Sequence, residues 1–355
     1  MKARDFLKNR NAVYNILTVL LAISISLVIA LFIVLITSKN PWAAMNAFIT
    51  GPLSSISFIT SIVIRASMLI FSGLAVAVMF RAGQFNMGTE GAIYLGGVAA
   101  TAIALSLNLP PILHLIVIFM TGALAGGIFS GLPGILKYKW GANEFVTSII
   151  LNYASLYIGL FIINHFFFDP NSNTFGSKRI PVQLLLPKIA PNIRIHSGLI
   201  IMLVTLILVC LLLLKSKQGY QMTIMGINSE FARYSGMNTG FLLVLSQFIG
   251  GALAGIGGAV EVLGVYMRFQ WSSLPGYGWD GVIVAILARN NPVMIPLAAL
   301  FISYLRTGSD IMATRSDVPA QIITVIQAVM IIFITSSALL DGLRKRSVVK
   351  EVLKK

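Results

Sequence analysis

The chain has 355 residues, of which 57% are hydrophobic and 10% are charged, and its mean hydropathy is +0.88. Soluble domains carry about 25% charged residues, so this composition excludes a soluble enzyme or binding protein, and the single cysteine, Cys210, excludes a disulfide scaffold. The net charge of +15 is spread along the chain rather than gathered on one soluble face, which argues against nucleic acid as a partner. We therefore expect an all-α polytopic membrane protein.

Ten apolar segments approach the length of about 20 residues that a helix needs to span a bilayer. The first has no ionisable residue, and no small-residue cleavage site follows it, so we interpret it as a retained span rather than a signal peptide. The eighth and ninth are short, and either full spans or re-entrant helices fit them. The ten predicted spans are residues 16–37, 59–80, 88–107, 111–136, 144–168, 197–214, 240–264, 276–289, 292–309 and 319–340.

The distribution of Lys and Arg predicts the orientation of these spans. With a cytoplasmic N-terminus and ten alternating spans, about twice as many basic residues lie inside as outside. The basic cluster at residues 344–355 then also lies inside, which supports an even number of spans. We expect both termini to be cytoplasmic, in the plasma membrane of a bacterium, with basic residues near anionic lipid.

Two longer segments separate the predicted spans. Residues 169–196, rich in Pro and Asn, are expected to form an ordered external loop, and residues 215–239 a cytoplasmic segment. The chain contains no Gly-x4-Gly-Lys-Ser/Thr phosphate-binding loop, and its three histidines are dispersed. We therefore expect neither an enzyme nor a cofactor or metal site. If ATP drives this protein, another chain must hydrolyse it.

Two short sequences recur in the same order in both halves of the chain. Gly88–Ile93 is matched by Gly278–Ile283, and Gly73–Val78 by Gly257–Val262, at similar offsets. In the predicted topology the second and seventh spans run in opposite directions, so the halves form a five-plus-five inverted repeat with broken helices. The predicted organisation is one transmembrane domain, residues 1–355, with half-repeats at residues 15–168 and 197–342.

Both repeats place an acid between glycines at the edge of a span, Glu90 in the first and Asp280 in the second. Each acid either lines a polar pathway or caps a helix N-terminus, where a carboxylate meets the helix dipole. Asn86 and Asn152 either contribute to such a pathway or form hydrogen bonds between helices. Trp279 either stacks on a flat ligand or anchors a span at the membrane interface. These five residues are the candidate substrate-pathway residues.

The cytoplasmic segment contains the run 230–236, Glu-Phe-Ala-Arg-Tyr-Ser-Gly, with the spacing Glu-x-Ala-x3-Gly. A short amphipathic helix ended by a glycine fits this pattern. The run resembles the Glu-Ala-Ala-x3-Gly loop of ABC importer permeases, which forms a coupling helix that docks into the ATPase; Phe231 stands at the first alanine position, so the match is partial. The residues that this resemblance marks for ATPase coupling are Gly226, Glu230, Ala232, Arg233 and Gly236.

Longer motifs are similar to those of one permease family. Phe80–Gly91 resembles its Phe-Arg-Ala-Gly-x-Phe-Asn-Ile-Gly-x-Glu-Gly signature, and Gly276–Pro292 is similar to its second-half signature. Asn143–Tyr153 resembles the Asn-Glu-Val-Ile-x-Thr…Leu-Asn-Tyr stretch of the nucleoside/simple-sugar branch. From about residue 15 to residue 342, the chain resembles the branched-chain amino acid/ribose/nucleoside permease family.

This resemblance implies a permease subunit of an ATP-driven importer that moves nucleosides by alternating access. It also implies three protein partners: a second permease, expected to be a different chain, a cytoplasmic ATPase and an external substrate-binding lipoprotein. Two alternatives stay open. A simple-sugar importer would use the same mechanism, whereas an ion-coupled secondary transporter fits the inverted repeat and Glu90 but leaves the Glu-x-Ala-x3-Gly run unexplained.

Overall fold

The computed structural model describes residues 28–29, 31–172, 174–190 and 193–319, together with positions 325, 328, 329 and 332. These residues are mainly helical and form no strand longer than an isolated bridge. α5 and α9 each continue into a π-helical turn, at Ile163–Phe167 and Val262–Tyr266. In chain order the helices are α1 (Pro41–Thr50), α2 (Ile56–Arg81), α3 (Thr89–Ser106), α4 (Pro111–Trp140), α5 (Glu144–Ile162), α6 (Gly198–Lys215), α7 (Lys217–Ile227), α8 (Ser229–Tyr234), α9 (Thr239–Glu261), α10 (Tyr277–Leu287) and α11 (Ile295–Arg315).

Six helices of the described region are long and apolar enough to cross a membrane: α2, α3, α4, α5, α6 and α9, counting the π-helical turns. They coincide with the second to seventh predicted spans. α10 has only 11 residues, because Arg289 and Asn290 adopt left-handed backbone conformations, with φ of 52° and 55°, just before Pro292. α11 overlaps the ninth predicted span. The first and tenth lie mainly outside the described residues, so the count of ten stays a prediction.

Hydropathy does not predict α1, whose beginning is defined by capping. The Asn40 side chain accepts a hydrogen bond from the Ala43 amide at 3.4 Å, and Pro41 occupies the first helical position. Both features favour a helix start, because the first turn of a helix has amides without intrahelical partners and proline lacks one of them. α1 is therefore a local helix that follows the first predicted span.

The described residues divide into two compact units, one of residues 63–300 and one of the residues before 63 and after 300. In the smaller unit α1 packs against α11. The Tyr304 hydroxyl donates to the carbonyl of Ile49, and a methyl group on Gly308 would collide with the carbonyl of Phe48. A small residue and a polar anchor thus hold these two helices in close contact.

Asp317 connects the chain beyond α11 to the chain before α1 within the same unit. Its carboxylate accepts hydrogen bonds from the Ser38 hydroxyl at 2.5 Å and from the Lys39 amide at 2.7 Å. These hydrogen bonds favour the charged form and lower the pKa of Asp317 below its usual range.

The centre of the larger unit is formed by α3, α4 and α9, which make the most extensive helix contacts. Side chains are nearly absent where these helices cross. Gly126 and Gly251 each lie against the other's carbonyl oxygen, Gly255 lies against Gly122, and Gly96 lies against Gly255. The small-xxx-small spacing on α4 and α9 permits this approach, since packing rather than hydrophobicity drives association between helices in lipid.

The segment predicted as an external loop packs onto the chain that follows α9. Ser177 and Phe269 exchange two hydrogen bonds, at 2.8 and 3.0 Å. At the end of the segment, His196 is buried and its Nδ1 accepts from the Gly198 amide at 3.2 Å. Burial lowers the pKa of His196, so the neutral imidazole required for this acceptor role is favoured.

Candidate functional site

The N-termini of α3 and α10 meet inside the larger unit. Residues 82–88, between α2 and α3, are mostly buried, and α3 begins directly after them. Gly278, in the first turn of α10, lies so close to the backbone of Glu90 that a side chain there would collide with it. Each helix N-terminus carries partial positive charge and amides without intrahelical partners. This junction therefore requires hydrogen-bond acceptors.

Glu90 is the main acceptor at the junction. Its carboxylate oxygens accept hydrogen bonds from the amides of Gly276 and Gly278, both at 2.5 Å, and the amide of Trp279 also donates to it. The side chain is 1% exposed. Glu90 stands in the first turn of α3, yet it caps α10, so the carboxylate joins the two helices.

Tyr277, the first residue of α10, is anchored at both its backbone and its side chain. Its carbonyl accepts from the Ser72 hydroxyl of α2 at 2.6 Å, and its hydroxyl donates to Glu261 of α9 at 3.1 Å. Glu261 is buried and lies within electrostatic reach of Arg65. Polar contacts from α2, α3 and α9 therefore fix the start of α10.

Asn86 connects residues 82–88 to the central helices. Its amide nitrogen donates to the carbonyl of Ser130 on α4 at 2.9 Å and to the side chain of Gln247 on α9 at 2.7 Å. Its amide oxygen accepts from the amide of Gly88 at 2.6 Å, next to the start of α3. Asn86 is fully buried. It holds the turn between α2 and α3 against two other helices.

Asn152 holds the same turn from α5. Its side chain accepts from the amide of Gly91 at 2.9 Å and donates to the carbonyl of Met87 at 3.0 Å. One turn earlier on α5, Ser148 accepts from the amide of Met87 at 2.9 Å. Two side chains on one face of α5 thus satisfy the backbone groups that the break before α3 leaves without helical partners.

Trp279 and Asp280 occupy the first turns of α10 in different surroundings. The Trp279 side chain is 49% exposed, whereas Asp280 is buried and near enough to Glu90 to interact with it electrostatically. The five candidate pathway residues thus lie at the break before α3, on the α5 face that holds it, or at the start of α10. Three of them form hydrogen bonds to backbone groups or to a side chain of another helix: Asn86, Glu90 and Asn152. Trp279 is the most accessible of the five.

Several residues of this junction were not singled out by sequence reasoning. Ser72, Ser130 and Ser148 are serines in apolar helices, a residue type too common in such helices to stand out. Gln247 and Glu261 carried a clearer signal, since both are strongly polar residues inside an otherwise apolar span. Their partners, Asn86 in the turn before α3 and Tyr277 of α10, became evident only from the tertiary packing around α9.

The Glu-x-Ala-x3-Gly run forms α8 and has defined caps at both ends. Asn228 caps the start by accepting from the Phe231 amide at 2.9 Å. At the end, the amide of Gly236 donates to Arg233 and the amide of Met237 donates to Ala232, both at 3.0 Å. Gly236 has φ of +77°, so this is the glycine-terminated Schellman motif that the spacing predicts.

One face of α8 is buried and the rest is exposed. Ala232 is fully buried, whereas Glu230 and Arg233 are exposed. Two aromatic side chains on the helix are also largely exposed, Phe231 at 58% and Tyr234 at 88%. Such residues on a short helix form a surface suited to contact with another protein.

Within the described residues, His, Cys, Asp and Glu do not gather in groups of three or more that could hold a metal ion. The junction consists of carboxylate, amide and hydroxyl groups that bind backbone and one another. Such groups can hydrogen-bond a polar solute and can hold broken helices in place. Together with the six apolar spans of the described region, these features define a helical membrane protein with a polar break between its spans.

The family model described as "Branched-chain amino acid transport system / permease component" matches residues 58–335. The chain belongs to this family. It is 31% identical to the guanosine ABC transporter permease protein of Bacillus subtilis, over 91% of this chain and 94% of that protein. It is 30% identical to the nucleoside ABC transporter permease protein of Lactococcus lactis, over 93% of both. It is also 30% identical to the glucose ABC transporter permease protein of Haloferax volcanii, over 91% of this chain and 86% of that protein.

Proposed function

We propose that this chain is a permease subunit of an ATP-driven importer for nucleosides, which it moves by alternating access. We choose a neutral substrate because Glu90 caps α10. Paired half-helix N-termini inside a transporter ordinarily bind an anionic group of the substrate. Here a carboxylate of the chain itself accepts from those amides. A neutral solute therefore fits this junction better than a substrate that carries a carboxylate.

The chemistry near the junction suits a nucleoside. The described residues include several buried polar atoms without a hydrogen-bond partner, and two of these, Thr89 Oγ1 and Gln247 Nε2, belong to residues at or beside the junction. They retain capacity to bind polar groups of a solute. Trp279 is half exposed and offers a face on which a flat base stacks. Two of the relatives are named as guanosine and nucleoside permeases. On this proposal, Asn86, Glu90, Asn152, Trp279 and Asp280 form or support the substrate pathway.

We also propose the complete topology predicted from the sequence. Ten spans in a five-plus-five inverted repeat would place residues 15–168 and 197–342 in opposite orientations within one domain. Both termini and α8 would then face the cytoplasm of a bacterium, and residues 169–196 would face outward. The meeting of two helix N-termini at the Glu90 junction supports this proposal, because inverted repeats bring broken helices together near the bilayer midplane.

ATP would be used by a partner rather than by this chain. The proposed partners are a cytoplasmic ATPase that binds α8, a second permease of different sequence, and an external substrate-binding lipoprotein. The exposed aromatic residues of α8 support the first of these, and the described part of the segment before α6 offers a surface for the last. The ATPase-coupling residues would be Gly226, Glu230, Ala232, Arg233 and Gly236.

A simple sugar is the second candidate substrate. The relative from Haloferax volcanii is named as a glucose permease, at an identity close to that of the nucleoside permeases. A sugar is also neutral and polar, so the Glu90 junction suits both. The aromatic surface of Trp279 favours a base over a sugar.

Uptake in a strain that lacks the gene tests the proposal. Radiolabelled uridine, guanosine and ribose are supplied with and without the restored chain. We expect nucleoside uptake to disappear in the deletion strain, to return with the chain, and to stop when the partner ATPase is inactivated. Loss of ribose uptake alone would favour the sugar candidate. Uptake that depends on an ion gradient and not on the ATPase would contradict ATP-driven import.

A further inference from the structure

The cytoplasmic segment meets the end of α2 through two glycines. A Cβ on Gly226, in the last turn of α7, would collide with the carbonyl oxygen of Arg81. A Cβ on Gly83 would lie 2.9 Å from the Cα of Gly226. Gly83 has φ of +72°, a conformation that glycine adopts without strain. The two backbones are therefore in direct contact, and because no side chain lies between them, a displacement of one moves the other.

A small apolar cluster joins α8 to this contact. Ala232 of α8 packs with Ala82, with Met222 and Met225 of α7, and with Leu242 of α9. All five side chains are buried. The cluster fixes α8 to α7 and to the residue that precedes Gly83. Movement of α8 therefore carries the glycine contact with it.

Open space lies beside the contact. A cavity of about 580 Å³ is lined by Gly83 and Gly226, by Lys137 and Tyr138 from the end of α4, and by Asn228 before α8. The end of α4 is thus separated from the α7–α8 junction at this point. Because a cavity rather than packed side chains lies here, the glycines and the apolar cluster provide the close packing between this junction and the chain after α2.

Residues 82–90 continue from the glycine contact to the start of α10. Asn86 ties this stretch to α4 and α9, and Asn152 ties its backbone to α5. At its far end, Glu90 binds the amides of α10. The stretch is short and, apart from the Thr89 hydroxyl, its polar side chains are hydrogen-bonded, so it is built to move as one piece.

We infer that Gly226 and Gly83 are positioning residues that pass the displacement of α8 through residues 82–90 to the N-terminus of α10. This inference rests on the proposed ATP-driven import, in which ATPase closure displaces α8. It makes the Phe-Arg-Ala-Gly part of the first signature, residues 80–83, the contact site of the cytoplasmic coupling segment. It also makes Glu90 the end of the transmission path.

Gly226→Ala tests the contact, and Gly131→Ala is the matched control. Both glycines are helical, but the nearest atom to a Cβ on Gly131 is 3.9 Å away, so the control fits without displacement. The full complex is reconstituted in vesicles, and ATPase binding, ATP hydrolysis and nucleoside uptake are measured together. We expect Gly226→Ala to bind the ATPase and hydrolyse ATP while transporting about tenfold fewer nucleosides per ATP. The control is expected to match the wild type. An unchanged transport ratio in Gly226→Ala would overturn the inference.

A second variant covers the case in which Gly226→Ala does not assemble. Ala82→Cys and Met225→Cys are combined in a Cys210→Ser background, and the two thiols, which lie in one buried cluster, are crosslinked by oxidation to a disulfide. Because the contact is inferred to move as one body, the crosslinked transporter keeps wild-type uptake. Uptake that is lost on crosslinking and restored by reduction would overturn the inference.

The two proposals fail in different ways. A wild-type complex that takes up no nucleoside under any condition would overturn the proposed function. Wild-type uptake driven by ATP, together with an unchanged ratio in Gly226→Ala, would overturn only the glycine transmission.

Discussion

Glu90 is the residue on which the junction depends. A buried carboxylate in an apolar helix is costly unless its oxygens are bonded, and here backbone amides of α10 bond both of them. The same bonds satisfy amides that the start of α10 would otherwise leave without partners. Each group therefore removes the cost of burying the other.

Glu90→Ala is expected to destabilise the protein strongly. It leaves the buried amide of Gly278 without an acceptor, at a cost of about 1–3 kcal/mol, and the partly buried amide of Gly276 without one at a smaller cost. Glu90→Gln is expected to be intermediate, because its carbonyl replaces one acceptor while its NH₂ group faces the other amide. Thermal unfolding of the purified wild-type and variant proteins in detergent, followed by tryptophan fluorescence, measures the order of their stabilities.

Glu230→Ala is the control for this series, because Glu230 is an exposed acid on α8 and its loss leaves no buried group without a partner. We expect it to unfold at the wild-type temperature. A Glu90→Ala protein that unfolds at the wild-type temperature and supports normal uptake would show that the bonds to α10 contribute nothing.

At the scale of elements, α8 shows how much a short motif determines. The run Glu-x-Ala-x3-Gly predicts a helix ended by a glycine, and the Schellman motif at Gly236 confirms that local structure. The burial of Ala232 explains why a small residue stands in the middle of the run. What the motif does not reveal is the surface beneath α8, because Ala82 after α2, together with residues of α7 and α9, contributes it.

The exposed aromatic residues of α8 are expected to bind the ATPase. Phe231→Ala combined with Tyr234→Ala removes two large side chains that are 58% and 88% exposed. Aromatic residues at the centre of an interface commonly contribute 2 kcal/mol or more, so we expect ATPase affinity to fall by about thirtyfold or more. Binding of the purified ATPase to the permease in lipid nanodiscs measures the effect.

Trp42→Ala provides the matched control, because Trp42 is 72% exposed but lies on α1, which the predicted topology places on the opposite side of the membrane. Its ATPase affinity is expected to equal that of the wild type. If the α8 double variant also binds with wild-type affinity, α8 is not the docking surface.

At the scale of the whole molecule, the predicted topology can be tested with single cysteines, since Cys210 is the only native one. In a Cys210→Ser background, Asn171→Cys is expected to react with a membrane-impermeant maleimide on intact spheroplasts. Ser229→Cys is expected to react only after permeabilisation. Both positions are exposed, so access to the reagent rather than burial decides the result. Reaction of Ser229→Cys in intact spheroplasts would contradict a cytoplasmic α8.

Composition and hydropathy alone determined that this protein is a helical membrane protein. The second to seventh predicted spans could be located within a few residues, because a continuous apolar run of sufficient length has few other stable structures. The signatures around residues 80–91 and 276–292 likewise indicated the family. These features are local, so they can be read along the chain.

The tertiary structure decided which groups the polar residues inside the spans bind. In the sequence, Glu90, Asn86 and Asn152 stand out as polar residues inside or beside apolar spans. The sequence left three roles open for them: lining a polar pathway, capping a helix, or forming a hydrogen bond between helices. Their partners lie on other helices, and for Glu90 the partners are backbone amides, which carry no sequence signal. The contact between Gly83 and Gly226 was hidden for the same reason. Direct backbone packing depends on where two helices cross, and only the assembled bundle fixes that position.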